Sequence, residues 1–203
     1  ARAFEGVTPD LDLHCQRAVR SAGALGLRAT MDAKKIEEIA REGVAQFSSD
    51  TALYIRPMFW AEVGFVAPDP DSTKFALTVN PLPMPGTQGF SACLSTRRRP
   101  MPDAAPTDAK ASCLYPNAGR ALLECRAKGF DNCVMLDPLG NVAEFATANL
   151  FMAKDGVVKT PVVNGTFLNG ITRQRVIKLL RDRGETVLET RLTAQDLIEA
   201  DEI

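Results

Sequence analysis

Three prolines within seven residues divide this chain into two parts. The stretch from Asn80 to Gly86, which is NPLPMPG, lacks three backbone N–H donors and is stiffened at each proline, so no helix or interior strand can run through it. A chain of 203 residues can bury one generous core or two small ones. We therefore expect two domains, residues 1–82 and 88–203, joined by a linker at residues 83–87.

The part before the linker has a mixed pattern. Apolar residues recur at helical spacing from Ile36 to Phe47, and Asp32 is the expected N-cap of this helix. Segments 51–60 and 74–79 are rich in β-branched and aromatic residues, which predicts strands. This part is therefore expected to be a small α/β domain.

The part after the linker alternates strand and helix patterns. A second proline-rich loop, residues 99–109, leads directly to Lys110. The predicted elements are a strand at 90–94, a helix at 114–128 ended by Gly129, hairpins at 133–144 and 150–160, a helix after Gly170 ended by Gly184, a strand at 186–192 and a helix capped by Thr193.

The composition argues against several classes of protein. The 24 basic residues balance 25 acidic ones, and the run Arg97–Arg99 is too short for a nucleic-acid footprint. No apolar run approaches the ~20 residues of a membrane span, so we expect no membrane partner. The five cysteines are odd in number and lack C-x-x-C spacing, which argues against disulfides and zinc and favours a reducing cytoplasm.

The single histidine, His14, limits the possible catalytic mechanisms. It adjoins Cys15 on an expected helix, where consecutive side chains point about 100° apart and do not face each other. A cysteine–histidine hydrolase is therefore not expected. A multi-histidine metal site is also excluded, whereas a magnesium site made only of carboxylates stays open.

Lys110 and Glu144 together suggest a specific chemistry. A lysine amine that forms a Schiff base and a carboxylate that keeps a pyridine nitrogen protonated are the two groups that pyridoxal phosphate (PLP) requires. Taken alone, a lysine such as Lys110 is most often a solvated surface residue, and a glutamate at a strand end such as Glu144 is usually exposed.

The sequence Gly170-Ile171-Thr172 precedes a predicted helix. Free backbone N–H groups at a helix start, with the Thr172 hydroxyl beside them, form a phosphate cradle. The alternative is that Thr172 simply caps the helix.

Several stretches of the chain occur in an order and spacing shared with one enzyme family. They are HCQR at 14–17, SA at 21–22, YIRP at 54–57, KASCLY at 110–115, the segment from Gly140 through AEFATANLF, TP at 160–161, FLNGITRQRVIKLL at 167–180 and LTAQDLIEADEI at 192–203. They resemble the PLP-dependent aminotransferases of fold type IV, and within that class the branched-chain amino acid aminotransferases. The resemblance implies a two-domain α/β fold whose larger domain has a barrel-like sheet, and a homodimer.

The resemblance assigns roles to three residues around the cofactor ring. Lys110 corresponds to the lysine that binds PLP and moves the proton at the substrate α-carbon. Tyr115 corresponds to the tyrosine that binds the phenolic oxygen, although a core tyrosine is the alternative. Glu144 corresponds to the carboxylate at the pyridine nitrogen.

The resemblance assigns five further residues to the phosphate and the substrate. Arg17, Ile171 and Thr172 correspond to the groups that hold the cofactor phosphate. Tyr54 and Arg56 correspond to positions at the substrate pocket. Asn149 also lies in a shared motif, and we interpret it as structural support near the cofactor.

The implied reaction is transfer of an amino group between leucine, isoleucine or valine and 2-oxoglutarate. A D-amino acid aminotransferase and 4-amino-4-deoxychorismate lyase share Lys110 and Glu144, and a non-catalytic PLP-binding protein is the rival from another class. The family continues at both ends of this chain, so we expect a longer polypeptide. Phe145 stands where the family more often has a small residue and is expected to narrow the pocket or alter specificity.

Overall fold

The computed structural model describes residues 1–203, which form two compact units, Ala1–Thr87 and Gln88–Ile203. None of the helices is long and apolar enough to cross a membrane. The helices are α1 (Leu11–Ala24), α2 (Ala33–Val44), α3 (Tyr115–Arg126), α4 (Ile171–Asp182) and α5 (Ala194–Ile198). The strands are β1 (Arg2–Ala3), β2 (Leu53–Ala61), β3 (Thr73–Pro81), β4 (Ala92–Arg98), β5 (Asn132–Leu136), β6 (Val142–Phe145), β7 (Met152–Lys154), β8 (Val157–Pro161) and β9 (Val187–Thr190).

The first unit is an antiparallel sheet of order β1-β2-β3 with helices α1 and α2 packed on it. Leu53 and Ile55 alternate inward along β2 and meet Ile36 of α2 and Leu11 of α1 in one buried cluster. Helix α2 and its N-cap are confirmed, because the Asp32 side chain accepts a hydrogen bond from the Lys35 amide at 2.8 Å.

Strand β3 runs two residues further than its composition predicts. It includes Asn80 and Pro81, the first residues of the proline-rich stretch, and Pro81 pairs with Leu53. The strand lies at the edge of its sheet, where proline is tolerated because no further neighbour needs its N–H.

The second unit contains a sheet of order β4-β5-β6, in which β4 and β5 are parallel and connected through α3. Strand β5 is buried along its whole length because both of its faces are covered. Cys133 and Met135 contact the cluster formed by α3, whereas Val134 and Leu136 contact a second cluster that includes Phe145.

A further sheet of order β7-β8-β9 completes the second unit. The predicted hairpin turn is confirmed at Asp155 and Gly156, whose φ angles of 51° and 73° suit a tight turn between β7 and β8. A backbone hydrogen bond of 2.8 Å from Val142 N to the Leu192 carbonyl connects β6 to the segment that follows β9. Thr193 caps α5, as predicted, and the structure adds a complete capping box with Asp196.

Helix α3 begins one residue later than predicted. A short 3₁₀ turn, Ser112–Leu114, follows Lys110, and the α-helix starts at Tyr115 with Pro116 in its first turn. Proline is favoured there because its missing N–H has no partner in the helix anyway. The helix is followed by Gly129 at φ 86°, the predicted left-handed position.

Candidate active site

Lys110 lies at the end of the loop that connects β4 to α3. Its neighbours Ala109 and Ala111 are 2% and 5% exposed, so the backbone on both sides is fixed in the core while the lysine itself is exposed. Three residues before Lys110, the hydroxyl of the buried Thr107 donates to the Gly165 carbonyl. Buried packing therefore holds the backbone that presents the amine.

Tyr115 lies close to this amine. The Lys110 Nζ is 5.7 Å from the centroid of the Tyr115 ring, within the range of a cation–π contact. The ring is 50% exposed at the start of α3, which rules out the alternative of a core tyrosine. The lysine predicted to bind the cofactor and the tyrosine predicted to bind its phenolic oxygen are thus neighbours.

Glu144 occupies β6 with its carboxylate largely buried, at 12% side-chain exposure. Oε1 lies 3.3 Å from Nε of Arg99, and Oε2 accepts a hydrogen bond of 3.1 Å from Nδ2 of Asn149. Burial raises the pKa of Glu144 to about 7, while the positive charges of Arg99 and Lys110 act in the opposite direction. The exposed-glutamate alternative is therefore wrong.

Phe145 does not share the face of β6 that carries Glu144. Its ring is buried with Val134, Leu150 and Met152, and it makes an edge contact with Phe90 at 5.2 Å between centroids. Successive side chains of a strand point to opposite faces. The expectation that this ring narrows the cofactor pocket is therefore wrong, because Phe145 fills the core instead.

Arg99 is a site residue that sequence reasoning missed. Its side chain is 6% exposed, and Nε donates to the Thr166 carbonyl at 3.1 Å as well as facing Glu144. The sequence showed only a run of three arginines, and burial distinguishes them: Arg97 is 43% exposed in its side chain. No sequence pattern marked Arg99, because the strand expected at 90–94 extends in the structure to Arg98, directly before it.

The N-terminus of α4 offers the predicted anion cradle. Gly170 is the N-cap, and Ile171 and Thr172 are the first two residues of the helix. No side chain caps the helix. The first amides of an α-helix have no partner within it and carry the positive end of the helix dipole. The alternative that Thr172 is the N-cap is wrong, since it lies inside the first turn.

Asn149 connects Glu144 to this helix start. Besides the carboxylate, its Nδ2 donates to the Leu168 carbonyl at 3.0 Å, two residues before the N-cap. The second unit thus brings Lys110, Tyr115 and Glu144 together and links Glu144 to the cradle.

The other three predicted site residues belong to the first unit. Arg17 lies on α1, half-buried, and its Nη2 donates to Nδ1 of His14 at 3.0 Å. Tyr54 and Arg56 lie on β2, on the face opposite the buried Leu53 and Ile55. Their roles stay predictions.

Comparison with known proteins identifies the family of this constellation. The family model described as "Amino-transferase class IV" matches residues 1–203, the whole chain. The chain belongs to the class IV aminotransferases. A protein of Rickettsia felis named "Probable branched-chain-amino-acid aminotransferase" is 32% identical over 199 residues, which are 97% of this chain and 68% of the relative.

Solved structures of aminotransferases share this fold. A Brucella abortus aminotransferase bound to PLP is 56% identical, with a TM-score of 0.97 over 99% of this chain and 73% of that one. The Escherichia coli branched-chain amino acid aminotransferase is 31% identical, with a TM-score of 0.92 over 98% of this chain and 69% of that one. The predictions of family, fold class, enzyme class and PLP as cofactor are confirmed.

The residues of this class IV aminotransferase suit the chemical groups of PLP. A buried carboxylate whose pKa is raised by burial gains from a cationic partner, which a protonated pyridine nitrogen supplies. A helix start without a side-chain cap suits a phosphate, and an exposed primary amine suits an aldehyde. The donor set therefore suits the aldehyde, the ring nitrogen and the phosphate of the cofactor.

Proposed function

We propose that this aminotransferase transfers amino groups between the branched-chain L-amino acids and 2-oxoglutarate. The observation that carries the proposal is the exposed Lys110 amine near the buried Glu144 carboxylate: burial raises the pKa of Glu144 to about 7, and the positive charges of Arg99 and Lys110 both oppose that rise. The choice of substrate is supported by the Rickettsia relative, whose name states a branched-chain activity, and by the E. coli structure.

The residues of the second unit have distinct tasks in this proposal. Lys110 would bind the cofactor aldehyde, Tyr115 its phenolic oxygen, and Glu144 its ring nitrogen. The amides of Ile171 and Thr172, with the Thr172 hydroxyl, would hold the phosphate at the positive end of α4. When bound, PLP accepts the electron pair released at the substrate α-carbon.

The proton steps belong to Lys110. Its Nζ would take the proton from the α-carbon of the amino acid and return it as general acid. The Tyr115 ring beside this Nζ, at 5.7 Å, limits the positions that the amine can occupy. Arg99 and Asn149 support the ionised form of Glu144, the form that a protonated ring nitrogen needs opposite it.

Three residues of the first unit complete the proposal on the strength of the resemblance. Arg17 would bind the phosphate, and Tyr54 and Arg56 would contact the substrate side chain or the second carboxylate of glutamate. Assembly as a homodimer in the cytoplasm belongs to the same proposal, and light scattering of the purified protein tests the oligomeric state.

The deciding experiment combines cofactor mapping with a substrate panel. Borohydride reduction of the PLP-loaded protein followed by peptide mapping is expected to find the pyridoxyl group on Lys110. Incubation with 2-oxoglutarate and L-leucine, L-isoleucine or L-valine is expected to yield L-glutamate. A protein without bound pyridoxyl groups, or with the group on another lysine, contradicts the proposal.

The rival activities give different results in the same panel. Amino transfer from D-alanine would indicate a D-amino acid aminotransferase, and release of pyruvate from 4-amino-4-deoxychorismate would indicate the lyase. A protein that carries the pyridoxyl group on Lys110 but converts none of these compounds would be a non-catalytic PLP-binding protein.

A further inference from the structure

Asn149 occupies a junction between two parts of the proposed cofactor site. It lies between β6 and β7 and is half-buried. Its Nδ2 donates to Oε2 of Glu144 at 3.1 Å and to the Leu168 carbonyl at 3.0 Å. A side-chain amide nitrogen has two hydrogens, so both donors of Asn149 are used, one on the strand that carries the carboxylate and one on the segment that precedes α4.

The orientation of this amide is fixed by its partners. Both groups that face Nδ2 are acceptors, a carboxylate and a carbonyl, so a rotated amide would place its own oxygen against two oxygens. The Oδ1 atom is therefore directed away from them, and it lies against Gly170, the N-cap of α4.

Gly170 is a glycine for reasons of space and not of backbone conformation. Its φ of −61° and ψ of 139° are accessible to any residue. A Cβ added to Gly170, however, would overlap Oδ1 of Asn149, closer than non-bonded heavy atoms approach. The two residues are therefore fitted to each other at the start of the helix.

We propose that Asn149 is a positioning residue that sets the separation between the Glu144 carboxylate and the first turn of α4, with Gly170 as its matched partner. This inference rests on the proposed function. PLP carries its phosphate on a short CH₂–O arm of a rigid ring, so the distance from the ring nitrogen to the phosphate varies only within narrow limits. A protein that binds both groups must hold its carboxylate and its anion cradle within the corresponding range of separation. Asn149 is the side chain that bonds to both parts.

The first test measures PLP affinity by equilibrium dialysis, corrected for the folded fraction of each variant. Asn149→Ala removes both bonds, and Asn149→Asp keeps the shape but replaces the donors with a carboxylate oxygen that faces Glu144. Asn149→Ala is expected to bind PLP about tenfold more weakly, since a hydrogen bond to a charged group is lost, and Asn149→Asp more weakly still, because the two carboxylates repel each other. Asn132→Ala is the matched control, because Asn132 is a buried amide that donates to Thr147 Oγ1 at 3.0 Å, away from Glu144.

The second test is a double-mutant cycle on the fitted pair. Gly170→Ala alone should displace Asn149 and weaken PLP binding about tenfold, whereas in the Asn149→Ala background it should change affinity less than about twofold, because the overlapping atom is gone. Additive effects of the two substitutions would overturn the inference.

A third reading uses the protein without PLP. Titration of the Glu144 carboxyl carbon by NMR should show a higher pKa in Asn149→Ala, since Arg99 and Lys110 are then the remaining groups that favour its charged form. An unchanged pKa, or loss of PLP affinity no larger than in Asn132→Ala, would leave Asn149 with a merely structural role and overturn the inference. A wild-type protein that does not bind PLP would instead overturn the proposed function, and this inference with it.

Discussion

Lys110 and Glu144 serve one proposed reaction from opposite environments. Lys110 is exposed on a loop whose flanking alanines are buried, whereas the Glu144 carboxylate is 12% exposed within a sheet and held by Arg99 and Asn149. The amine must reach cofactor and substrate, so it needs a fixed backbone and a mobile side chain. The carboxylate must hold one charge in one place, so it needs fixed neighbours. We therefore expect a substitution at Lys110 to remove activity with little effect on stability, and a substitution around Glu144 to lower the free energy of unfolding.

The largest effect is expected for Lys110→Ala, which removes both the cofactor attachment and the proton carrier. Transamination should fall by about 10⁴-fold or more. Stability should change little because the lysine side chain is exposed. Stopped-flow kinetics and thermal unfolding measure the two quantities. Lys154→Ala is the control, since Lys154 forms a surface pair with Glu199 at 3.0 Å, and retained activity in Lys110→Ala would break the comparison.

The buried side of the comparison is tested at Arg99. Arg99→Met leaves the Glu144 carboxylate without its nearest cation, and the free energy of unfolding at pH 8 should fall by about 3 kcal/mol. The loss should be smaller at pH 5, where Glu144 can take up a proton.

A matched variant lies two residues away. Arg97→Met removes a half-exposed arginine whose Nε is 4.0 Å from Glu124, and urea unfolding should show a loss below about 1 kcal/mol. Equal losses for the two variants would mean that the burial of Arg99 carries no special weight.

The same contrast explains what the sequence could predict. Helix α2 and its Asp32 cap, the Asp155–Gly156 turn and the Thr193 cap depend on neighbours within a few residues, so local patterns predicted them. Lys110, Tyr115 and Glu144 were predicted because ordered motifs resemble a family.

The contacts around Glu144 could not be predicted in this way. Arg99 is 45 residues from its partner in sequence, and only the pairing of β4 with β5 and of β5 with β6 brings the two together. The prediction for Phe145 was wrong for a related reason. The face of β6 that meets the core depends on the packing of Leu150 and Met152 against it. Long-range packing decides such contacts, and no local pattern encodes it.

The pH dependence of stability sharpens the description of Glu144. Its pKa is raised from 4.5 when unfolded to about 7 when folded, so between these values the folded state binds the extra proton. The contribution of the Glu144 carboxyl to the free energy of unfolding is fully present below pH 4.5 and is lost as the pH rises through 7. The change is about 3 kcal/mol.

The measurement is urea unfolding of the PLP-free protein from pH 4.5 to pH 8. The difference between wild type and Glu144→Gln isolates the contribution of this carboxyl. The difference should favour the wild type progressively less as the pH rises. If the free energies of unfolding of the two proteins change with pH in parallel, the pKa of Glu144 is not raised by burial in the folded state. Glu144 would then be an exposed group like Lys110.

The smallest effect is expected for Thr172→Val, because Thr172 shares its proposed task with backbone amides. The substitution removes one hydroxyl while the amides and dipole of α4 remain, so PLP affinity should fall by about fivefold, equivalent to roughly 1 kcal/mol. Thr186→Val, at an exposed threonine beyond the other end of α4, is the matched control for equilibrium dialysis. Thr172 is exposed, like Lys110. Its proposed task, like that of Glu144, is to hold one charged group of the cofactor. If Thr172→Val and Thr186→Val bind PLP equally well, the phosphate depends on the backbone of α4 and not on this side chain.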